Sequence, residues 1–143
     1  MTVTLLALLV AAVWGIAPIF EKLSLARVSP FTALTIRFMF TTGIVVVISL
    51  VSGRFKDIKN VDPMSLLWIC LGGIIGGVIG LLLYFMALKQ GMATRVIPIT
   101  ATFPLFTAFY AYMFLHEQLT AIRVAGILLV VLGVVLINWR TIA

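Results

Sequence analysis

Five apolar stretches separated by short polar gaps fill nearly the whole of this 143-residue chain. A bilayer core about 30 Å thick is crossed by roughly 20 mostly apolar helical residues, and several of the stretches reach that length with few interior charges. Runs such as Val45-Val46-Val47-Ile48 would suggest strands in water. In lipid, however, every backbone polar group must bond within its own segment or a closed barrel, and the helical reading prevails. The sequence therefore predicts an all-α integral membrane protein with five transmembrane helices, at about residues 3–23, 31–52, 64–88, 96–115 and 121–138, in a single domain over 1–143. Pro30 and Pro63 suit the first turns of the second and third helices.

Composition excludes the main alternatives. At 64% hydrophobic and 10% charged residues, the chain lies far from the roughly 45–50% apolar content of soluble domains. A net charge of +6 would point to nucleic acid in a soluble protein, but here the ten basic residues sit mainly at helix ends, as headgroup anchors and orientation signals. The expected partners are the lipid bilayer and a small molecule, with no nucleic acid. Met1 to Val10 carries no Lys or Arg and the first apolar run reaches Phe20, past the usual h-region of about 7 to 15 residues, so it reads as a crossing rather than a cleaved signal. Cys70, the one cysteine, has no internal disulfide partner and reads as a small buried hydrophobe.

Because crossings alternate sides, the basic residues sort into two sets. Arg54, Lys56, Lys59 and Arg123 fall on one side, and Lys22, Arg27, Arg37, Lys89, Arg95 and Arg140 on the other. Four against six is a weak bias under the positive-inside rule. It is compatible with insertion in both orientations.

Chemistry-bearing residues are few. Trp14, Pro18 and Glu21 recur at i, i+4 and i+7, which places a ring, a kink and a carboxylate on one helical face suited to a polar cavity. Arg37 follows Pro30 by seven positions, about 10 Å into the second crossing at 1.5 Å per residue. An unpaired arginine at a helix centre costs about 2.5 to 3.5 kcal/mol on insertion scales. With a turn near Ser29, Glu21 and Arg37 fall at similar depth on adjacent helices, so a structural ion pair is expected. Gly72, Gly73, Gly76, Gly77 and Gly80 in the third crossing, and Gly126 and Gly133 in the fifth, mark faces for close helix packing. Tyr84 lies one turn beyond the first set. Thr100, Pro104, Thr107 and Ala111 form a stripe on a continuous fourth helix that would face water or substrate, although threonine hydroxyls can instead bond back to their own helix. Candidate cavity residues are thus Trp14, Pro18, Tyr84, Thr100, Pro104 and Thr107. His116 reads as an interfacial residue rather than a proton relay. There is no phosphate loop, metal-ligand cluster or Ser-His-Asp constellation, so neither enzyme activity nor a cofactor or metal is expected.

Taken in order, Trp14-Gly15 with Lys22, Pro30 with Arg37, Tyr84-Phe85-Met86-Ala87-Leu88, Pro98, Pro104, Leu115-His116-Glu117-Gln118-Leu119-Thr120, Gly126 and Gly133-Val134-Val135-Leu136-Ile137 resemble an EamA-type domain of the drug/metabolite transporter superfamily. The resemblance covers nearly the whole chain. It implies a multi-pass carrier of small metabolites in the cell (inner) membrane of a prokaryote, and one half of a ten-helix architecture built from two inverted five-helix repeats. The chain is also distantly similar to small multidrug resistance proteins, which share the Gly126 to Gly133 spacing. Those proteins carry an essential glutamate in the first helix near the place held here by Trp14, so their proton-coupled cation export does not transfer to this chain. On this footing the expectation is a secondary carrier or facilitator acting by alternating access as an antiparallel homodimer. The competing expectation is a non-transporting accessory subunit, or half of a heterodimer with a similar subunit.

Overall fold

Proline and capping side chains set where the helices begin. In the computed structural model, which describes residues 2–139, helix α1 spans Val3–Leu25 and α2 spans Pro30–Val51. The amides of Arg27 and Val28 turn back onto the Ser24 carbonyl at 3.0 and 3.2 Å. The Ser29 hydroxyl then accepts the Thr32 amide at 3.1 Å, with Pro30 in the first turn where its missing N–H costs nothing. Helix α2 ends at Gly53, whose φ of 71° is the left-handed conformation open to glycine. A tight 3-10 segment, Arg54–Asn60, follows and carries the loop's basic residues.

The third crossing is compound. Helix α3 (Pro63–Gly72) opens on Asp62, whose carboxylate accepts the Ser65 amide at 2.8 Å. It passes into a π-helical segment, Gly73–Gly80, and then into α4 (Leu81–Gln90). The widened ladder coincides with the glycine-rich run, where backbone flexibility is greatest and side chains impose least. The fourth crossing departs from the expected continuous helix: α5 (Ala93–Thr100) and α6 (Phe103–Leu115) are separated by a turn at Ala101 and Thr102. Pro104 lacks the amide that would bond to Thr100, which favours a break there. His116 ends α6 in the left-handed conformation at φ 52°, and the Glu117 amide reaches the Ala111 carbonyl at 3.2 Å. Helix α7 (Ala121–Asn138) is capped by Thr120, whose hydroxyl accepts the Arg123 amide at 3.3 Å.

Regular structure among the described residues is helical throughout, and five helical stretches are long and apolar enough to cross a membrane: Val3–Leu25, Pro30–Val51, Pro63–Gln90, Ala93–Leu115 and Ala121–Asn138. The chain divides into two compact units, Met1–Gln90 and Gly91–Ala143. In the first, α4 packs against both α1 and α2 around buried Leu25, Leu34, Phe85 and Leu88. In the second, α7 packs against α5 and α6, with Val96 and Asn138 buried. Most large apolar side chains face outward, as a lipid environment requires. Cys70 is among the outward-facing residues, not the buried hydrophobe expected from its type.

The glycines are used unevenly. A methyl group built on Gly77 would meet the Phe38 ring of α2 at 3.4 Å, and one on Gly80 would meet the Ile75 carbonyl at 3.2 Å. Gly72, Gly73, Gly76, Gly126 and Gly133 face open space. Gly77→Ala is therefore expected to fold normally, whereas Gly77→Leu forces Phe38 aside at roughly 1 to 3 kcal/mol and lowers the thermal midpoint in detergent.

The Ser65 amide also holds the Asp62 carboxyl below the usual carboxylate range. A lowered folded-state value means the cap's contribution is complete above the unfolded aspartate pKa and is lost as pH falls through the folded one. Hydrogen exchange at the first turn of α3, corrected for intrinsic rate, should show protection declining in that acid window in the wild type and no such step in Asp62→Asn.

Candidate functional site: an intramembrane ion pair

Within the first unit the short α1–α2 turn folds two ionisable side chains onto one level. Glu21 stands four residues before the end of α1, Arg37 seven after Pro30, and the Arg37 Nη1 donates to Glu21 Oε1. Both lie inside membrane-crossing helices. Helix α4 closes the third side: the Phe85 ring lies beneath the guanidinium, 5.9 Å from its centroid to Cζ, and the Tyr84 phenol is close enough to interact with the Glu21 carboxylate and to feel Arg37. Phe85 is itself buried, and its ring face offers the guanidinium a cation–π contact. The pair is lopsided, because the Glu21 side chain is 12% exposed and that of Arg37 41%.

Below this level two lysines cross between elements. Lys22 Nζ of α1 donates to the Leu88 carbonyl at 2.6 Å and the Lys89 carbonyl at 3.3 Å, at the end of α4. Lys89 Nζ in turn donates to the Val28 carbonyl in the α1–α2 turn at 2.9 Å. A helix C-terminus presents carbonyls without intrahelical donors and a partial negative charge, so an ammonium is well placed there. From the sequence alone Lys89 is a topology marker, and Lys22 a topology marker that also belongs to the family-like motif of the first crossing. The signal that could have found the clamp is their position in the last turns of α1 and α4.

The other candidates fall as follows. Pro18 is buried in α1, Trp14 faces outward, and Pro18 withholds the amide that the Trp14 carbonyl would otherwise receive. Tyr84 joins the ion pair. Thr100 closes α5, with its hydroxyl bonded to the Ile97 carbonyl at 2.8 Å, and so does not continue the face carried by α6. Pro104 and Thr107 belong to α6, where Thr107, Tyr110, Ala111, Phe114 and Leu115 line a shallow groove. The stripe expected from residue 100 to 111 is thus interrupted by the turn at 101–102. Asn138, which sequence reading passed over, is buried in α7. Its Nδ2 donates to the Val134 carbonyl at 2.9 Å while its Oδ1 has no protein partner among the described residues. Trp139 is exposed, and the expected anchor at Arg140 lies outside the described residues. Among the described residues no group of three or more His, Cys, Asp or Glu is placed to hold a metal ion.

The comparison with known proteins is decided by coverage. The model of the EamA-like transporter family matches residues 1–139. The chain belongs to this family. It is 28% identical over 137 residues to an uncharacterized protein of Methanocaldococcus jannaschii, covering 96% of both chains. It is 28% identical over 131 residues to an uncharacterized transporter in the cobO 3' region of a Sinorhizobium species, covering 92% of each. The match to the uncharacterized transporter YvbV of Bacillus subtilis is 28% identical over 139 residues, 96% of this chain but 45% of that one. No solved structure matches. Membership of the EamA-like family, together with five crossing helices, makes this a multi-pass membrane transporter and points away from catalysis.

If the ion pair holds α1 against α2, removing either partner leaves a charge in lipid. Glu21→Gln and Arg37→Gln should each lower thermal stability, and the double variant should recover part of the loss. The expected coupling is about 1 kcal/mol or more, since the two charges are in contact. Additive losses would show that the two side chains do not act together.

Proposed function

We propose that the protein is a secondary carrier of small organic solutes in a prokaryotic inner membrane, working by alternating access as an antiparallel homodimer. The supporting observation is the odd number of crossings in an EamA-like chain. With five crossings, a second copy fused in tandem enters the membrane inverted, and inverted halves around a midplane site are the usual basis of alternating access. Relatives of both sizes exist: this chain spans 96% of the M. jannaschii relative but 45% of the B. subtilis transporter. A single five-helix unit obtains its inverted counterpart most directly from another copy of itself. The near-even split of basic residues between the two sides supports insertion both ways. Trp14, Pro18 and Tyr84 in the first unit, and Thr100, Pro104 and Thr107 in the second, are the residues proposed to meet the solute.

Two measurements test this reading. Purified protein in proteoliposomes should move at least one solute from a metabolite pool faster than empty vesicles. In a Cys70→Ser background, single cysteines in the Arg54–Asn60 loop should be labelled by a membrane-impermeant maleimide from both sides of the membrane in comparable amounts. Labelling confined to one side would defeat the antiparallel dimer, and no accelerated movement of any solute would defeat the carrier.

A further inference from the structure

Arg37 is only partly satisfied where it stands. A guanidinium carries five N–H donors, yet among the described residues the hydrogen bond it makes is the one to Glu21. The side chain is 41% exposed, on a crossing helix about 10 Å beyond Pro30 by helical rise, and lipid tails supply no acceptor for the donors that remain. Glu21 on the inner side is largely covered at 12% exposure, whereas Arg37 keeps surface open beyond the pair. Its open donors require a polar ligand of the shape a planar fork grips, and Glu21 already shows which shape that is.

We infer that Arg37, backed by Phe85 and flanked by Tyr84, is the binding site for a carboxylate group of the transported solute, and that Glu21 is the internal carboxylate it displaces. The inference rests on the carrier reading and adds to it a class of solute and a coupling. With Glu21 ionised the site is neutral. An incoming carboxylate would leave one uncompensated negative charge in a medium of low dielectric, so binding is accompanied by uptake of one proton on Glu21. The loaded site then holds Glu21 as the neutral acid and Arg37 paired with the solute, again with no net charge. The remaining ionisable groups on the packed helices are Lys22 of α1 and Lys89 of α4, and their ammonium groups are engaged with carbonyls at Leu88, Lys89 and Val28. Neither is positioned to replace Arg37. Because binding takes up a proton, carboxylate affinity should rise as pH falls.

The experiment reads ligand-induced thermal shifts of the purified protein in nanodiscs of zwitterionic lipid. The probes are mono- and dicarboxylic acids of two to six carbons, each paired with its carboxamide. At least one acid should stabilise the protein where its amide does not. Arg37→Gln should weaken that acid by about tenfold or more, as expected when one side of a desolvated charge pair is removed. Glu21→Gln should bind it roughly tenfold tighter at pH 7.5, the effect of deleting a competing charge in contact, with no remaining pH dependence. A merely structural ion pair would give no such gain. If Arg37→Gln unfolds, the double variant Glu21→Gln/Arg37→Gln, which leaves no lone charge, takes its place with the same expected loss. Equal shifts by acid and amide, stabilisation by no acid, or unchanged affinity without Arg37 would each overturn the inference. Proteoliposome flux separates its failure from that of the carrier. A neutral solute moved equally well by the double variant removes the carboxylate site and leaves the carrier standing. Acid binding with no flux of any solute removes the carrier and leaves the site.

Discussion

A polar group inside a bilayer has to find its partner within the protein, because the surrounding medium supplies none. In this chain much of that demand is met by contacts gathered at one end of the first unit. Arg37 meets Glu21, Lys22 meets the end of α4, and Lys89 meets the turn between α1 and α2. Smaller groups follow the same rule: Thr35 and Thr41 donate to the Phe31 and Arg37 carbonyls at 3.0 and 2.8 Å, and Thr102 donates to the Ile99 carbonyl at 2.8 Å. The result is that three crossing helices are tied together by charge and hydrogen bonding at a level where apolar packing against lipid gives them no preference for one another.

That end of the unit is also where its buried side chains lie. Leu25, Leu34, Phe85 and Leu88 surround the tied helix ends, while farther along the helices most apolar side chains face outward. The arrangement leaves α1, α2 and the third crossing anchored at one end and sparsely packed at the other. For a transporter this is a useful division, since a fixed end can keep residues in register while the remainder accommodates changes in packing.

The helical class, the number of crossings and the level shared by Glu21 and Arg37 were legible because each follows from length, hydropathy or spacing about a short turn. Those quantities survive folding unchanged. The break at Ala101 and Thr102 was not legible: Pro98 and Pro104 both permit a kink, and only the assembled backbone shows that the residues between them turn. The π-helical ladder escaped for a related reason, since the glycines that permit it equally suit an ordinary helix with close neighbours. Among those glycines, only Gly77 stands against a side chain from another helix. The lysine clamp was missed because a basic residue at a membrane boundary has a sufficient explanation in topology alone. Asn138 was missed because a single amide among Leu, Val and Ile disturbs hydropathy very little, yet its carbonyl oxygen ends up buried with no partner among the described residues.

The segment Gly73–Gly80 has one further implication, for length variation rather than motion. A ladder bonded to the fifth residue along contains, in effect, slack that a regular helix lacks. Losing one residue there lets the backbone revert to the ordinary i→i+4 spacing while Pro63–Gly72 on one side and Tyr84 and Phe85 on the other keep nearly the same facing. The same deletion between Glu21 and Leu25, or between Pro30 and Arg37, would swing one charge away from the other. Homologous chains should therefore accept one-residue gaps in the middle of the third crossing and reject them on either side of the first turn.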